Sequence, residues 1–135
     1  MHLAAANGHL QVVEMLLGIS RELCCVKGRD GVTPLHCASI KGRRQIISLL
    51  LSACPPCVEE VNAWNEIALH VAVKNNQFES LRTLVEGLKQ CNNLVILNSR
   101  DVEGNTVLHL SAATKNHQAV ELLEIAMMEF LGYWK

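Results

Sequence analysis

Paired apolar positions recur along this chain at a fixed distance. Val12, Val13, Leu16 and Leu17 fall at i, i+1, i+4 and i+5, one stripe on a helix. Ile46, Ile47, Leu50 and Leu51 repeat the stripe, and Leu81, Leu84, Val85 and Leu88 repeat it again. A fourth copy is weaker, with Val120 and Leu123 on the stripe and Glu124 where Leu17, Leu51 and Val85 stand. Ahead of each stripe lies a short block. Its fullest form is Thr33-Pro34-Leu35-His36, followed by Cys37 and Ala38. Weaker forms are Met1-His2-Leu3-Ala4, Ile67-Ala68-Leu69-His70 and Thr106-Val107-Leu108-His109. The block histidines His2, His36, His70 and His109 are separated by 34, 34 and 39 residues, so the third unit carries five extra residues. A period of this length predicts an array in which each unit buries its apolar face on the next.

Local chemistry predicts two helices per unit. Thr33 offers its hydroxyl to free backbone donors at a helix start, and Pro34 follows at the first helical position, where its missing N–H costs nothing. The first helices are expected at about 34–41, 68–74 and 107–114, with that of unit one ending near Asn7-Gly8. The second helices are expected at about 10–17, 44–52, 78–89 and 118–128. Gly8 and Gly42 are helix-ending glycines, and Asp30-Gly31 is a turn signal. Ile67 replaces the capping threonine, which predicts a start weaker by about 1 kcal/mol. Pro55 and Pro56 are expected to stop the second helix and force an extended connection. The extra residues of unit three are placed after its second helix, near Cys91-Asn92-Asn93. The units run 1–26 (partial), 27–60, 61–99 and 100–125, with a non-repeat tail at 126–135. Glu124 gives the last unit a polar outer face, whereas unit one has no polar cap. Its apolar surface near Val12 and Leu16 is expected to fray or self-associate.

Composition narrows the function classes. Half the residues are apolar and 19% are charged, as in a folded domain. Aromatics are 4%, so the core is aliphatic. Twelve basic and 13 acidic residues give a net charge of −1 with no basic run, which gives nucleic-acid binding little electrostatic support. No stretch reaches the roughly 20 apolar residues of a membrane helix, and no secretory signal is visible. The expectation is a soluble, cytoplasmic chain.

No nucleophile–base arrangement or phosphate-cradling loop is present, so no enzyme, cofactor or small-molecule substrate is predicted. The six cysteines are Cys24, Cys25, Cys37, Cys54, Cys57 and Cys91. Without a secretory context they are expected to be reduced, with Cys37 a small buried hydrophobe. Cys54-Pro55-Pro56-Cys57 has redox or zinc-like spacing. A redox motif should follow a strand and open a helix, and this one follows a helix. For zinc, Cys24-Cys25 is a poorly spaced second pair, so no metal site is expected; a thiol or zinc-binding protein through Cys54 and Cys57 is the remote alternative, which metal content after purification would settle.

These blocks resemble ankyrin repeats over nearly the whole chain, to about Ile125. The resemblance implies an all-α solenoid of stacked helix-turn-helix units with β-turn fingers, and a protein-binding function. The finer wording of His70–Glu79 and Asp101–Leu110 is similar to the plant ankyrin family whose members often carry a C-terminal PGG domain and membrane helices. That likeness implies defence or stress signalling. Neither the PGG segment nor a membrane helix is present in these 135 residues. The abrupt start of unit one suggests a fragment or truncated product. The alternative to a binding module is therefore a structural remnant or regulatory cover of a membrane-anchored ankyrin protein.

The resemblance also assigns roles. The block histidine hydrogen-bonds backbone and the capping threonine; His9 and His117 are surface residues. Partner contacts fall on turn tips and the inner face of the first helices. In unit two these are Arg29, Asp30, Val32, Ile40 and Lys41; in unit three, Ala63, Trp64, Glu66, Lys74 and Asn75; in unit four, Val102, Glu103, Asn105, Ala113 and Thr114. Trp64 stands out, because a tryptophan on a turn tip can anchor an interface, although packing over a neighbouring turn would also account for it.

Overall fold

The computed structural model describes residues 1–132. Eight α-helices follow in pairs: α1 (His2–Ala6) and α2 (Leu10–Ile19), α3 (Pro34–Lys41) and α4 (Arg44–Ala53), α5 (Ala68–Lys74) and α6 (Phe78–Gln90), α7 (Val107–Ala113) and α8 (His117–Leu131). There is no strand among the described residues. The odd-numbered helices stack on one another as an inner layer, α1 on α3 on α5 on α7, and the even-numbered ones as an outer layer. The array is an all-α solenoid. Every stripe residue of α4 and α6 is buried between neighbours. In α2, by contrast, only Val13 and Leu17 are buried, and Val12, Met15 and Ile19 are exposed. Glu124 of α8 is exposed, as its outward position requires.

The corner joining the two helices of a pair is the same in all four units. Gly8, Gly42, Asn76 and Lys115, spaced like the histidines, adopt left-handed backbone with φ of 77°, 73°, 56° and 57°. A left-handed residue turns the chain back so that the next N–H can reach a late helix carbonyl; His9 and Arg43 donate to Ala4 and Ala38 at 2.9 Å.

Three features depart from the sequence-based expectations. Pro55 and Pro56 do not force an extended connection; they open a 3-10 turn, Pro55–Glu59, whose first positions suit a fixed φ and no N–H donor. Equivalent turns occur at Arg21–Cys25 and Leu94–Asn98, and each tucks an apolar residue under the helices: Cys24, Val58 and Leu97. The five extra residues of unit three are divided, three lengthening α6 to 13 residues against 10 in α4 and two lengthening the link to the next 3-10 turn. Helix α8 runs to Leu131, so residues 126–131 continue it and Ala126 is buried; the last three residues of the expected tail lie outside the described residues.

Candidate functional site

A ladder of side-chain to backbone bonds sets the register of the stack. The Thr33 N–H donates to His36 Nδ1 at 3.2 Å, which leaves the ring proton on Nε2. Nε2 then donates to the carbonyl of Glu66 at 2.8 Å, in the next unit. The Thr33 hydroxyl lies 2.7 Å from Nδ1 and accepts from the His36 N–H at 3.3 Å. His2 reaches the Val32 carbonyl at 2.9 Å and His70 reaches that of Asn105 at 3.0 Å in the same way. Burial pushes the pKa of His36 and His70 below its ordinary value, although the carbonyls they bond pull it back in part. Both rings are therefore neutral, with one nitrogen accepting and the other donating. His109 keeps the same bonds to Thr106, but its ring is exposed at the last unit. His9 and His117 are exposed as well.

These bonds hold the connecting turns as a row of fingers. The Ala63 N–H donates to the Asp30 carbonyl at 2.8 Å, and the Val102 N–H to the Trp64 carbonyl at 2.9 Å. Gly31 sits so close to the next finger that a Cβ there would lie 3.3 Å from the backbone of Asn62 and Ala63. Each later finger is shaped by a side-chain oxygen that accepts two N–H groups. Asn62 Oδ1 takes those of Trp64 and Glu66, both at 3.0 Å. Asp101 Oδ1 takes those of Glu103 and Asn105, at 3.0 and 2.9 Å. Burial works to raise the Asp101 pKa, but these two backbone donors outweigh it and hold the carboxyl below its usual range. Asn62 and Asp101 were not singled out in the sequence. Their signal is an amide or carboxylate five residues before the capping position that opens the helix-start block.

The finger tips carry exposed side chains in a line. Arg29, Asp30, Ala63, Trp64, Val102 and Glu103 are all exposed, with Trp64 48% and Val102 67% accessible. Val32, Asn105 and Ile40 are half-buried, and Lys41, Lys74, Asn75, Ala113 and Thr114 are exposed along the inner helices.

Glu66 is not an open contact residue. It is only 5% accessible; its Oε1 accepts from Asn62 Nδ2 at 2.9 Å, and its other oxygen pairs with Lys74. That pairing raises the Lys74 pKa. Lys74 is thus committed to holding Glu66, and both belong to the scaffold beneath the fingers. Cys37 is half-buried where full burial was expected.

The surface of the described residues carries open grooves. One of about 600 Å³ runs between α2 and α4, lined by Leu17, Leu49 and Ala53 with Glu14 and Arg21 at its rim. No helix among the described residues is long and apolar enough to cross a membrane.

Comparison with known proteins finds two overlapping matches to the family model for ankyrin repeats (three copies), over residues 1–94 and 54–127. The human Transient receptor potential cation channel subfamily A member 1 is 29% identical over 125 residues, 91% of this chain and 10% of the channel. Mouse Rabankyrin-5 is 27% identical over 126 residues, 93% of this chain and 10% of that protein. The chicken Nuclear factor NF-kappa-B p105 subunit is 32% identical over 116 residues, 82% of this chain and 11% of the subunit. The chain thus spans about a tenth of the length of these relatives.

Proposed function

The chain belongs to the ankyrin-repeat family, and from that premise we propose that it is a non-catalytic protein-binding module whose contact surface is the row of finger tips and the inner helix face beside it. The observation that carries this reading is the pairing of Trp64 with Val102. Two large apolar side chains stand exposed on adjacent fingers whose backbones are hydrogen-bonded to each other. Arg29, Asp30 and Glu103 surround them with charge. A solvent-exposed aromatic on a rigid support, rimmed by polar groups, is the arrangement in which a few residues dominate binding. Rigidity helps further, because a surface fixed by stacking loses little conformational entropy when a partner docks. Lys41, Asn75, Asn105, Thr114 and Val32 extend the surface. Glu66 and Lys74 support it from below.

The partner is read as a protein, met in the cytoplasm and in a signalling or defence setting. What supports the setting is the plant-like wording of His70–Glu79 and Asp101–Leu110.

The experiment is affinity capture with the unaltered chain beside a Trp64→Ala, Glu103→Lys variant, with circular dichroism on both. Lys74 is kept, because removing it strands Glu66. Partner retained by the unaltered chain and lost by an equally helical variant supports the surface. If Trp64→Ala instead unfolds the chain, Trp64 is a packing residue and the surface lies elsewhere.

A further inference from the structure

The fold gathers cysteines that lie far apart in the chain. Cys24 and Cys25 end the turn Arg21–Cys25, while Cys54 follows α4 and Cys57 lies in the turn Pro55–Glu59. The Sγ atoms of Cys25 and Cys54 are 3.3 Å apart, and those of Cys24 and Cys25 are 3.8 Å apart. All three sulfurs fall within 4.8 Å of one another. Zinc bound by thiolates at about 2.3 Å in a tetrahedral arrangement spaces its sulfurs by about 3.8 Å. The separations here bracket that distance.

We propose that Cys24, Cys25 and Cys54 form a zinc-binding thiolate site that clips the first repeat to the second.

Zn²⁺ binding replaces the thiol protons, releasing one per cysteine ligand. Cys25 and Cys54 are half-exposed, which gives the ion a way in, while Cys24 is buried.

The test uses the full chain, reduced with a phosphine in metal-free buffer. Zn²⁺ is titrated calorimetrically, and Co²⁺ is added to a parallel sample as a spectroscopic probe. The expected result is one equivalent of Zn²⁺ per chain. Co²⁺ should give a near-ultraviolet sulfur-to-metal band with the visible bands of a tetrahedral ion. With free Zn²⁺ at about a hundred times its Kd, amide exchange through opening of residues 10–25 should slow about a hundredfold. Cys25→Ser and Cys54→Ser should each abolish the bands while retaining helical circular dichroism; should one of them fail to fold, the other decides. Cys91→Ser, altering an exposed thiol outside the cluster, should keep them. No stoichiometric metal on the reduced chain would overturn the proposal. So would bands that survive Cys25→Ser and Cys54→Ser, or a chain that only forms a Cys25–Cys54 disulfide in air.

Discussion

Single residues carry measurable energy where the repeat demands an unusual backbone. The helix corner needs a left-handed residue in every unit, and unit four fills it with Lys115 at φ 57°. A β-carbon in that conformation costs about 1 kcal/mol or more, and the side chain is exposed, so nothing repays it. Lys115→Gly should therefore stabilise the chain by about 1 kcal/mol in urea unfolding, in spite of glycine's greater freedom when unfolded. The interior histidines make a second case. His36 and His70 titrate below their ordinary value when folded, because burial disfavours the cation and Nδ1 is engaged as an acceptor. The unfolded chain takes up their protons near pH 6.5, so their contribution is complete above that pH and is lost as pH falls through the folded-state value. The urea midpoint should drop between about pH 7.5 and about pH 5.5. A midpoint flat across that interval would show that the ladder does not depend on neutral rings.

At the scale of one element, the finger is held by a single side-chain oxygen. Asp101→Ala removes the acceptor of two backbone N–H groups and should cost about 1–3 kcal/mol. Asp101→Asn should be nearly neutral at pH 7, since Asn62 performs the same task in the preceding finger. The carboxylate's contribution exists above its unfolded pKa and disappears as pH falls through its depressed folded value, so Asp101→Asn should flatten the acid side of the unfolding profile. Helix starts show a similar trade. Ile67 cannot cap α5, yet its N–H still bonds His70 Nδ1 at 3.2 Å and its side chain is fully buried. Apolar burial there offsets the missing hydroxyl, which the pattern of polar residues alone did not convey.

Across the whole molecule, stability should fall towards the first repeat. α3 to α6 are packed on both sides, whereas α2 leaves Met15 65% and Ile19 74% accessible. In a stacked array each unit is stabilised by its own folding and by contact with its neighbours, so the unit whose outer helix is least buried opens first. Hydrogen exchange of the metal-free chain should be fastest in α1 and α2 and slowest in α4 and α6; equal protection throughout would contradict this. At the other end, α8 is longer and is tied to α6 by Lys89 and Glu129 at 3.0 Å.

The repeat length, the helix pairs and the glycine corners at Gly8 and Gly42 were legible from sequence, because each is set by neighbours within a few residues, whereas the corners at Asn76 and Lys115 were not. A cap needs a hydroxyl beside the first turn, a corner needs a left-handed residue, and a stripe needs spacing within one helix. Tertiary structure decided the rest. Glu66 looked like a turn-tip residue until the fold drew Asn62 and Lys74 around it. Pro55-Pro56 reads as a break, but the space beneath the helices selected a 3-10 turn. The cysteines show the limit most clearly: Cys25 and Cys54 are 29 residues apart in the chain and 3.3 Å apart in space. Spacing along a sequence measures only local reach, whereas stacking superimposes positions one period apart and makes neighbours of residues that no local rule connects.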